Sequence, residues 1–177
     1  AAHRALGAAL ATKAASAFHV QNYPKGHEPT GLADAWFSAS EPYEVPYIEG
    51  YEPYVVARRE HFPLYDARFR GYGLNKVVHV YAMAAAGFKF VVMPGAAGQA
   101  ATECGFVAAA QHNKSAAWEN IFGKRAEPQL KDKVQALYNR SKLEVDLAAA
   151  LAARQSKATC TTVRYPAVPP LPSAPSS

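Results

Sequence analysis

The sequence predicts a protein of the α/β class, because segments with helical spacing of apolar residues alternate with a segment of strand character. Residues 75–86 carry one apolar stripe at helical spacing, and residues 88–93 place apolar side chains at alternate positions, as a strand does. A second, longer helical pattern covers residues 127–153. The chain has 177 residues, half of them hydrophobic, which is enough for one domain with a core.

The opening stretch, residues 1–20, places Leu6, Leu10 and Phe18 at helical spacing and contains no acidic residue. An acid-free amphipathic start is typical of a transit peptide that targets an organelle, and an alanine-rich surface helix is the alternative. The first residue is Ala1 rather than methionine. We therefore expect a processed chain or a part of a longer one.

The next segment, residues 21–49, is rich in proline and glycine turns, with one short helix predicted at 32–36. Residues 51–59 are rich in β-branched and aromatic side chains and predict a strand, whose start Pro53 places at a sheet edge. Gly87 follows the predicted helix 75–86 at the position where a glycine ends a helix.

These patterns divide the chain into three parts. We expect a partial domain over residues 1–126, a C-terminal helix packed on it over 127–157, and a disordered tail over 158–177. Five prolines after Tyr165 are the reason for the last prediction.

Composition excludes several kinds of function. Lys and Arg together number 19 against 14 Asp and Glu, but no run of basic residues forms a nucleic-acid patch. No stretch of 18 uncharged apolar residues is present, so we expect no transmembrane segment in this chain. Two cysteines, Cys104 and Cys160, are too few for a disulfide scaffold or a cysteine-based zinc module.

Chemistry-bearing residues are densest between the predicted strand 51–59 and the helix that starts at Asn75. Glycines there let the backbone approach a ligand closely, and the following helix offers free amide groups to an anion. Arg68 and Arg70 alternate, so either could bind a phosphate or carboxylate with both ends of its guanidinium. The alternative is a glycine turn in which Asp66 pairs with an arginine at the surface.

A longer pattern that surrounds these residues resembles a known family. Residues 42–96 read PYEVPYIEGYEPYVVARREHFPLYDARFRGYGLNKVVHVYAMAAAGFKFVVMPGA. The motifs Glu-Pro-Tyr-Val-Val, Tyr-Asp-x-Arg-Phe-x-Gly-Tyr-Gly-x-Asn-Lys, Ala-Gly-Phe and Pro-Gly-Ala are those of the family 49 glycosyltransferases. That family contains the LARGE-type transferases and a β-1,4-glucuronyltransferase of dystroglycan glycan assembly.

The resemblance implies the acceptor-side, C-terminal part of a GT-A-type domain that uses a nucleotide sugar, a glycan acceptor and manganese. It also implies the Golgi or secretory lumen as the location. By position in the motif, Tyr72, Gly73, Asn75 and Lys76 would line the acceptor or donor sugar pocket. Glu52 and Asp66 are the carboxylates closest to the motif, which makes them the candidate general bases.

Two features depart from the family pattern. The sequence contains no Asp-x-Asp, and the nearest spacing, Glu144-Val145-Asp146, is interpreted as a solvated helix face. The family's metal-binding histidine aligns with Ala109, while its second histidine is retained as His112, the remaining candidate metal ligand. These departures keep open an alternative, an inactive transferase fold that serves as a structural or binding subunit with protein partners. An incomplete chain of an active enzyme is the third hypothesis.

Three further residues receive predictions. His79 lies between apolar residues of the helix 75–86, which favours a structural role over a catalytic one. Asn113 and Asn139 each begin an Asn-x-Ser sequon, which would matter in the secretory lumen.

Overall fold

The computed structural model describes residues 2–18, 23–31, 35–71, 73–94, 113, 115–124 and 126–158. Its helices are α1 (Ala2–Ala11), α2 (Pro24–His27), α3 (Ala35–Ser38), α4 (Asn75–Ala85), α5 (Ala116–Phe122) and α6 (Pro128–Ala158). Its strands are β1 (Tyr43–Val45) and β2 (Phe90–Val92), and two 3₁₀ turns cover Glu28–Thr30 and Arg59–His61. Helices and a small sheet together agree with the predicted mixture of α and β structure.

The two strands form an antiparallel pair in which Glu44 lies opposite Val91. Phe90 and Val92 are buried whereas Val91 is half exposed, so side chains of β2 alternate between the core and solvent. The predicted strand 88–93 is confirmed in its central three residues.

Helix α4 lies between the sheet and α6 and supplies both hydrophobic clusters. Val80 and Met83 pack with the sheet and with Trp36 in the first cluster. Val77 and Val78 pack with Tyr138 of α6 in the second. The apolar stripe that predicted this helix is therefore wide enough to bury it on two sides.

The ends of α4 and α6 agree with the sequence patterns to within a few residues. Helix α4 begins at Asn75 as predicted and ends at Ala85, and Gly87 has the left-handed φ of 83° that ends such helices. Helix α6 has 31 residues and continues to Ala158, beyond the predicted end at 153. The chain from 154 to 158 contains no glycine or proline that would stop it.

The strand predicted over residues 51–59 is wrong, because residues 51–58 form no strand and a 3₁₀ turn follows at Arg59. A strand needs a neighbour for its amide and carbonyl groups, and this segment is instead held by other contacts. Tyr51 is buried in the first cluster and its hydroxyl shares a 3.0 Å hydrogen bond with Thr30. The side chain of Val56 points fully into solvent.

Two N-terminal patterns match the structure only in part. Helix α1 ends at Ala11 rather than continuing through residue 18, and Lys13 then takes a left-handed φ of 60°. Leu6 packs against the first cluster, as a surface helix of the fold would. The short helix predicted at 32–36 lies at Ala35–Ser38, and its residues 32–34 are outside the described part of the chain.

Several expectations fall on residues that the structure does not describe. These are the proline-rich tail beyond residue 158 and both cysteines. Among the described residues, no helix combines the length and the apolar character that crossing a membrane requires.

Candidate functional site

The segment that leads into α4 is organised by the side chain of Asp66. Its Oδ1 accepts a hydrogen bond of 3.0 Å from the backbone amide of Arg68, and its carbonyl accepts one of 3.2 Å from the amide of Phe69. An aspartate that binds an amide two residues on is a common way to start a turn. The turn directs the guanidinium of Arg68 back onto the carboxylate and towards α6.

Backbone conformations after this turn explain the two glycines. Gly71 and Gly73 have φ values of 95° and 113°, which side chains disfavour. Leu74 also has a left-handed φ, of 56°, and it packs on the second hydrophobic cluster. Burial of that side chain offsets the cost of the unusual backbone. The result is a tight reversal that ends directly at the first turn of α4.

An ionic cluster ties this segment to α6. Arg68 Nη2 lies 2.6 Å from Asp66 Oδ2 and 2.5 Å from Glu144 Oε2. The hydroxyl of Ser141 donates a hydrogen bond of 2.9 Å to Asp66, and Arg140 pairs with Glu144. The sequence left open that Asp66 forms an ion pair with an arginine. The structure contains this pair, with Arg68 as the partner. We name this group, Asp66, Arg68, Ser141 and Glu144, the arginine clamp.

The clamp changes the acidity of its carboxyl groups. Hydrogen bonds from the Arg68 guanidinium, which outweigh the effect of burial, hold the pKa of Asp66 well below its usual range. The same guanidinium and Arg140 lower the pKa of Glu144. A carboxylate with so low a pKa accepts a proton weakly, so the geometry suits Asp66 to positioning Arg68. Its role as a general base stays a prediction.

Stability should depend on this ion pair in acid. Because the folded pKa of Asp66 lies below its unfolded value, the pair stabilises the fold above the ordinary aspartate pKa of about 3.9. That contribution is lost as pH falls from there towards the folded pKa. We expect the melting temperature to fall less between pH 7 and pH 3 in Arg68→Met than in the wild-type protein. Equal losses in both proteins, followed by circular dichroism, would contradict this account.

A cleft of about 310 Å³ opens beside the clamp, between the segment 68–73, α5 and α6. Its lining combines apolar side chains from α5 and α6 with polar and charged groups. Its described lining comprises Arg68, Phe69, Arg70, Gly71, Gly73, Ala117, Asn120, Ile121, Leu130, Lys133, Val134 and Leu137. The glycines bring the backbone close to α5 and α6, since a methyl group at Gly73 would lie 3.5 Å from Val134.

The charge of this cleft is one-sided. Arg68, Arg70 and Lys133 line it, and none of its described lining residues is a carboxylate. Arg70 and Lys133 are exposed, whereas Arg68 is already held by Asp66 and Glu144. Asn120 adds an amide that can both donate and accept hydrogen bonds. Such a cleft can bind a ligand that combines negative charge with an apolar or ring-shaped part.

Of the predicted site residues that the structure describes, only Arg68, Arg70 and Gly73 line the cleft together. Asn75 and Lys76 form the first turn of α4, where the ammonium of Lys76 lies 4.6 Å from the centre of the Tyr54 ring. Glu52 lies elsewhere, with Oε1 3.5 Å from Nε2 of His27. Neither Glu52 nor Asp66 is among the described residues that line the cleft.

The metal prediction concerns residues outside the described structure, namely Ala109 and His112, and Tyr72 of the sugar pocket is also outside it. Within the described residues, no three histidine, cysteine or carboxylate side chains are grouped so that they could hold a metal ion. The alanine at position 109 has no lone pair to offer. Manganese binding by this chain therefore stays a prediction.

Sequence reasoning missed the α6 side of the site. Glu144 and Asp146 are exposed, as the interpretation of a solvated face requires, and in addition Glu144 binds Arg68 and Asp146 accepts a hydrogen bond from the hydroxyl of Tyr81. Ser141 and Glu144 are three residues apart on one helix face, but that spacing does not indicate Arg68 as their partner. Lys133 gave no signal either, because its partner segment lies more than 60 residues away in the sequence.

A second set of polar contacts fixes α6 against the rest of the fold. Tyr138 donates a 2.9 Å hydrogen bond to Glu49, and the ammonium of Lys142 lies 2.5 Å from the same carboxylate. These contacts lower the pKa of Glu49. The hydrogen bond to Asp146 raises the pKa of Tyr81 to about 12. The α6 wall of the cleft is thus held at several points along the helix.

Most of the chain is similar in sequence to a known protein family. Residues 1–139 match the family described as "Glycosyl-transferase for dystroglycan". The matched part includes Asp66 and Arg68 of the clamp, helices α4 and α5, and the start of α6. The chain belongs to this glycosyltransferase family. The resemblance to family 49 glycosyltransferases seen in the sequence motifs is confirmed.

Individual members of the family are similar over a shorter stretch. The chain is 39% identical over 85 residues to the "Glycosyltransferase-like protein LARGE" of Caenorhabditis elegans, which covers 48% of this chain and 13% of that protein. It is 48% identical over 73 residues to "Glycosyltransferase-like protein gnt15" of Dictyostelium discoideum, covering 41% and 14% respectively. Identity to "Xylosyl- and glucuronyltransferase LARGE1" of Mus musculus is 46% over 79 residues, covering 45% and 10%. The matched part is thus a small share of each relative.

Proposed function

We propose that this glycosyltransferase-family chain takes part in transferring a sugar from a nucleotide-sugar donor to a glycan acceptor, and that the cleft binds the donor. The single observation that carries this proposal is the cleft's charge, with three cations and no carboxylate among its described lining residues. A nucleoside diphosphate leaves during such a transfer, and its developing negative charge must be stabilised. Arg70 and Lys133 are the exposed cations placed to do so.

The remaining groups of the cleft have complementary roles in this proposal. Apolar side chains of α5 and α6 provide a surface for a sugar or base ring, and Asn120 can bind a hydroxyl group. Asp66 and Glu144 hold Arg68 in place, and they shape the cleft in this way without lining it. Manganese is the metal expected of the family, and no step of this proposal depends on it.

Membership in the family supports a GT-A-type fold and a place in the secretory pathway as parts of the same proposal. The names of the relatives favour sugar transfer over the alternative of an inactive subunit. Because the chain spans 14% or less of the relatives named above, their whole activities come to it as a proposal only. Protein partners stay a prediction.

Binding of the donor is the direct test. We expect uridine-diphosphate sugars to release heat on titration into the full chain, and Arg70→Ala and Lys133→Ala each to weaken binding about tenfold. Loss of one charged hydrogen bond costs about 1.5–3 kcal/mol when it is well formed, and exposure of these side chains places the effect at the lower end.

A matched control comes from the same helix. Lys131 is exposed on α6 and is not among the described residues that line the cleft. Lys131→Ala removes the same charge from the protein and should leave the affinity unchanged. Equal weakening by Lys131→Ala and Lys133→Ala would mean that net charge, rather than the cleft, attracts the donor. Absence of heat with every uridine-diphosphate sugar would reject donor binding by this chain.

A further inference from the structure

The two Asn-x-Ser sequons lie in very different structural settings. Asn113 is exposed and precedes α5, and Ser115 is the exposed N-cap of that helix. Asn139 lies in the middle of α6, eleven residues after Pro128 and nineteen before Ala158. A shared tripeptide pattern therefore presents its asparagine on non-helical backbone in one case and within a regular helix in the other.

The serine hydroxyls of the two sequons also differ. Ser141 is 2% exposed, and its hydroxyl donates to Asp66 and accepts from Arg68 within the arginine clamp. Ser115 accepts a 3.1 Å hydrogen bond from the amide of Trp118, which leaves its own proton available to donate. A transferase that must reach the serine hydroxyl can do so at Ser115, whereas the clamp occupies Ser141.

Asn139 itself is held in the helical backbone of α6. The helix around it has 31 residues, well beyond the roughly 12–15 at which isolated helices are marginal in water. Helices form within about a microsecond, whereas synthesis adds about 5–20 residues per second. The helical state of Asn139 can thus form soon after this segment is made.

We infer that Asn113 is an attachment site for an N-linked glycan and that Asn139 is not. In the reaction, the amide nitrogen of Asn113 forms a bond to the anomeric carbon of a lipid-linked oligosaccharide. The amide gives up one proton, and the lipid diphosphate leaves with the bonding electrons. The inference rests on the secretory location included in the proposed function, and it assigns this chain the role of acceptor as well.

The test is translation of the full chain behind an added cleavable secretion signal, in the presence of microsomes. An endoglycosidase that removes N-linked glycans then reports each attached chain as a change in electrophoretic mobility. We expect one glycan on the wild-type protein, complete loss in Asn113→Gln, and retention in the matched variant Asn139→Gln. Ser115→Thr should also retain it, because threonine keeps both the sequon and the N-cap.

Three results would overturn the inference: no glycan on the wild-type chain, a glycan that is lost in Asn139→Gln, or two glycans. The readout does not require a variant to fold stably, so misfolding of Asn113→Gln cannot imitate the expected result in the wild-type protein. Donor binding is measured separately by calorimetry on the unglycosylated protein. Failure of one proposal is thereby distinguished from failure of the other.

Discussion

Replacement of Trp36 by alanine should lower the free energy of unfolding by about 3–5 kcal/mol, the usual cost of removing a buried large aromatic side chain. Trp36 is 1% exposed and lies in the first hydrophobic cluster, where α3, α4 and both strands meet. Its indole nitrogen donates a 3.3 Å hydrogen bond to the carbonyl of Met93, and its ring meets Phe37 edge to face.

Urea unfolding followed by circular dichroism measures this change without relying on the fluorescence of the residue that is removed. Trp118→Ala is a matched control, because Trp118 is partly exposed on α5 and belongs to neither hydrophobic cluster. We expect a clearly smaller loss there. A loss of less than about 1 kcal/mol in Trp36→Ala would show that this cluster is not the centre of the fold.

His79→Ala should lower the free energy of unfolding by about 3 kcal/mol. The ring of His79 is 2% exposed, stacks on Tyr65 with centroids 3.8 Å apart, and meets Phe62 edge to face at 4.6 Å. Its Nε2 donates a 2.7 Å hydrogen bond to the carbonyl of Pro63. Each ring contact contributes about 1 kcal/mol and the hydrogen bond about as much again.

The variant His79→Phe separates these contributions. It keeps a ring between Tyr65 and Phe62 and loses the hydrogen bond to Pro63, so we expect it to recover about two thirds of the stability lost in His79→Ala. The same contacts hold the segment that leads to Asp66. We therefore also expect His79→Ala to weaken donor binding at the cleft. Unchanged stability of His79→Ala would contradict the structural role that both the sequence and the structure assign to this residue.

Sequence patterns correctly predicted the helices, strands and turns that depend on residues close together in the chain. The apolar stripe of α4, the alternation in β2 and the glycine at position 87 each depend on residues within a few positions of one another, and all three are confirmed. The strand over 51–59 was wrong for the opposite reason. Its side chains favour an extended backbone, but pairing requires a partner strand, and composition does not report whether one is present.

The candidate site shows the same division. The motif around residues 66–76 is visible in the sequence, and the resemblance it carries is confirmed by the family match. The pairing of Asp66 with Arg68 was foreseen as an alternative because the two residues are close neighbours in the chain. The contribution of Glu144, 76 residues from Arg68, could not be foreseen, since two distant charges give no spacing from which to infer contact.

By itself, then, the sequence determined the family, the two principal helices, β2 and a loop rich in glycine and arginine. Tertiary structure decided what that loop does. Asp66 and Arg68 pair with each other, and Arg68 also binds Glu144 of α6. Arg70 and Lys133 line one cleft, whereas Glu52 contacts His27. The physical reason is that charge and hydrogen bonding act through space, so their partners become defined only when packing of apolar faces has brought α6 against α4.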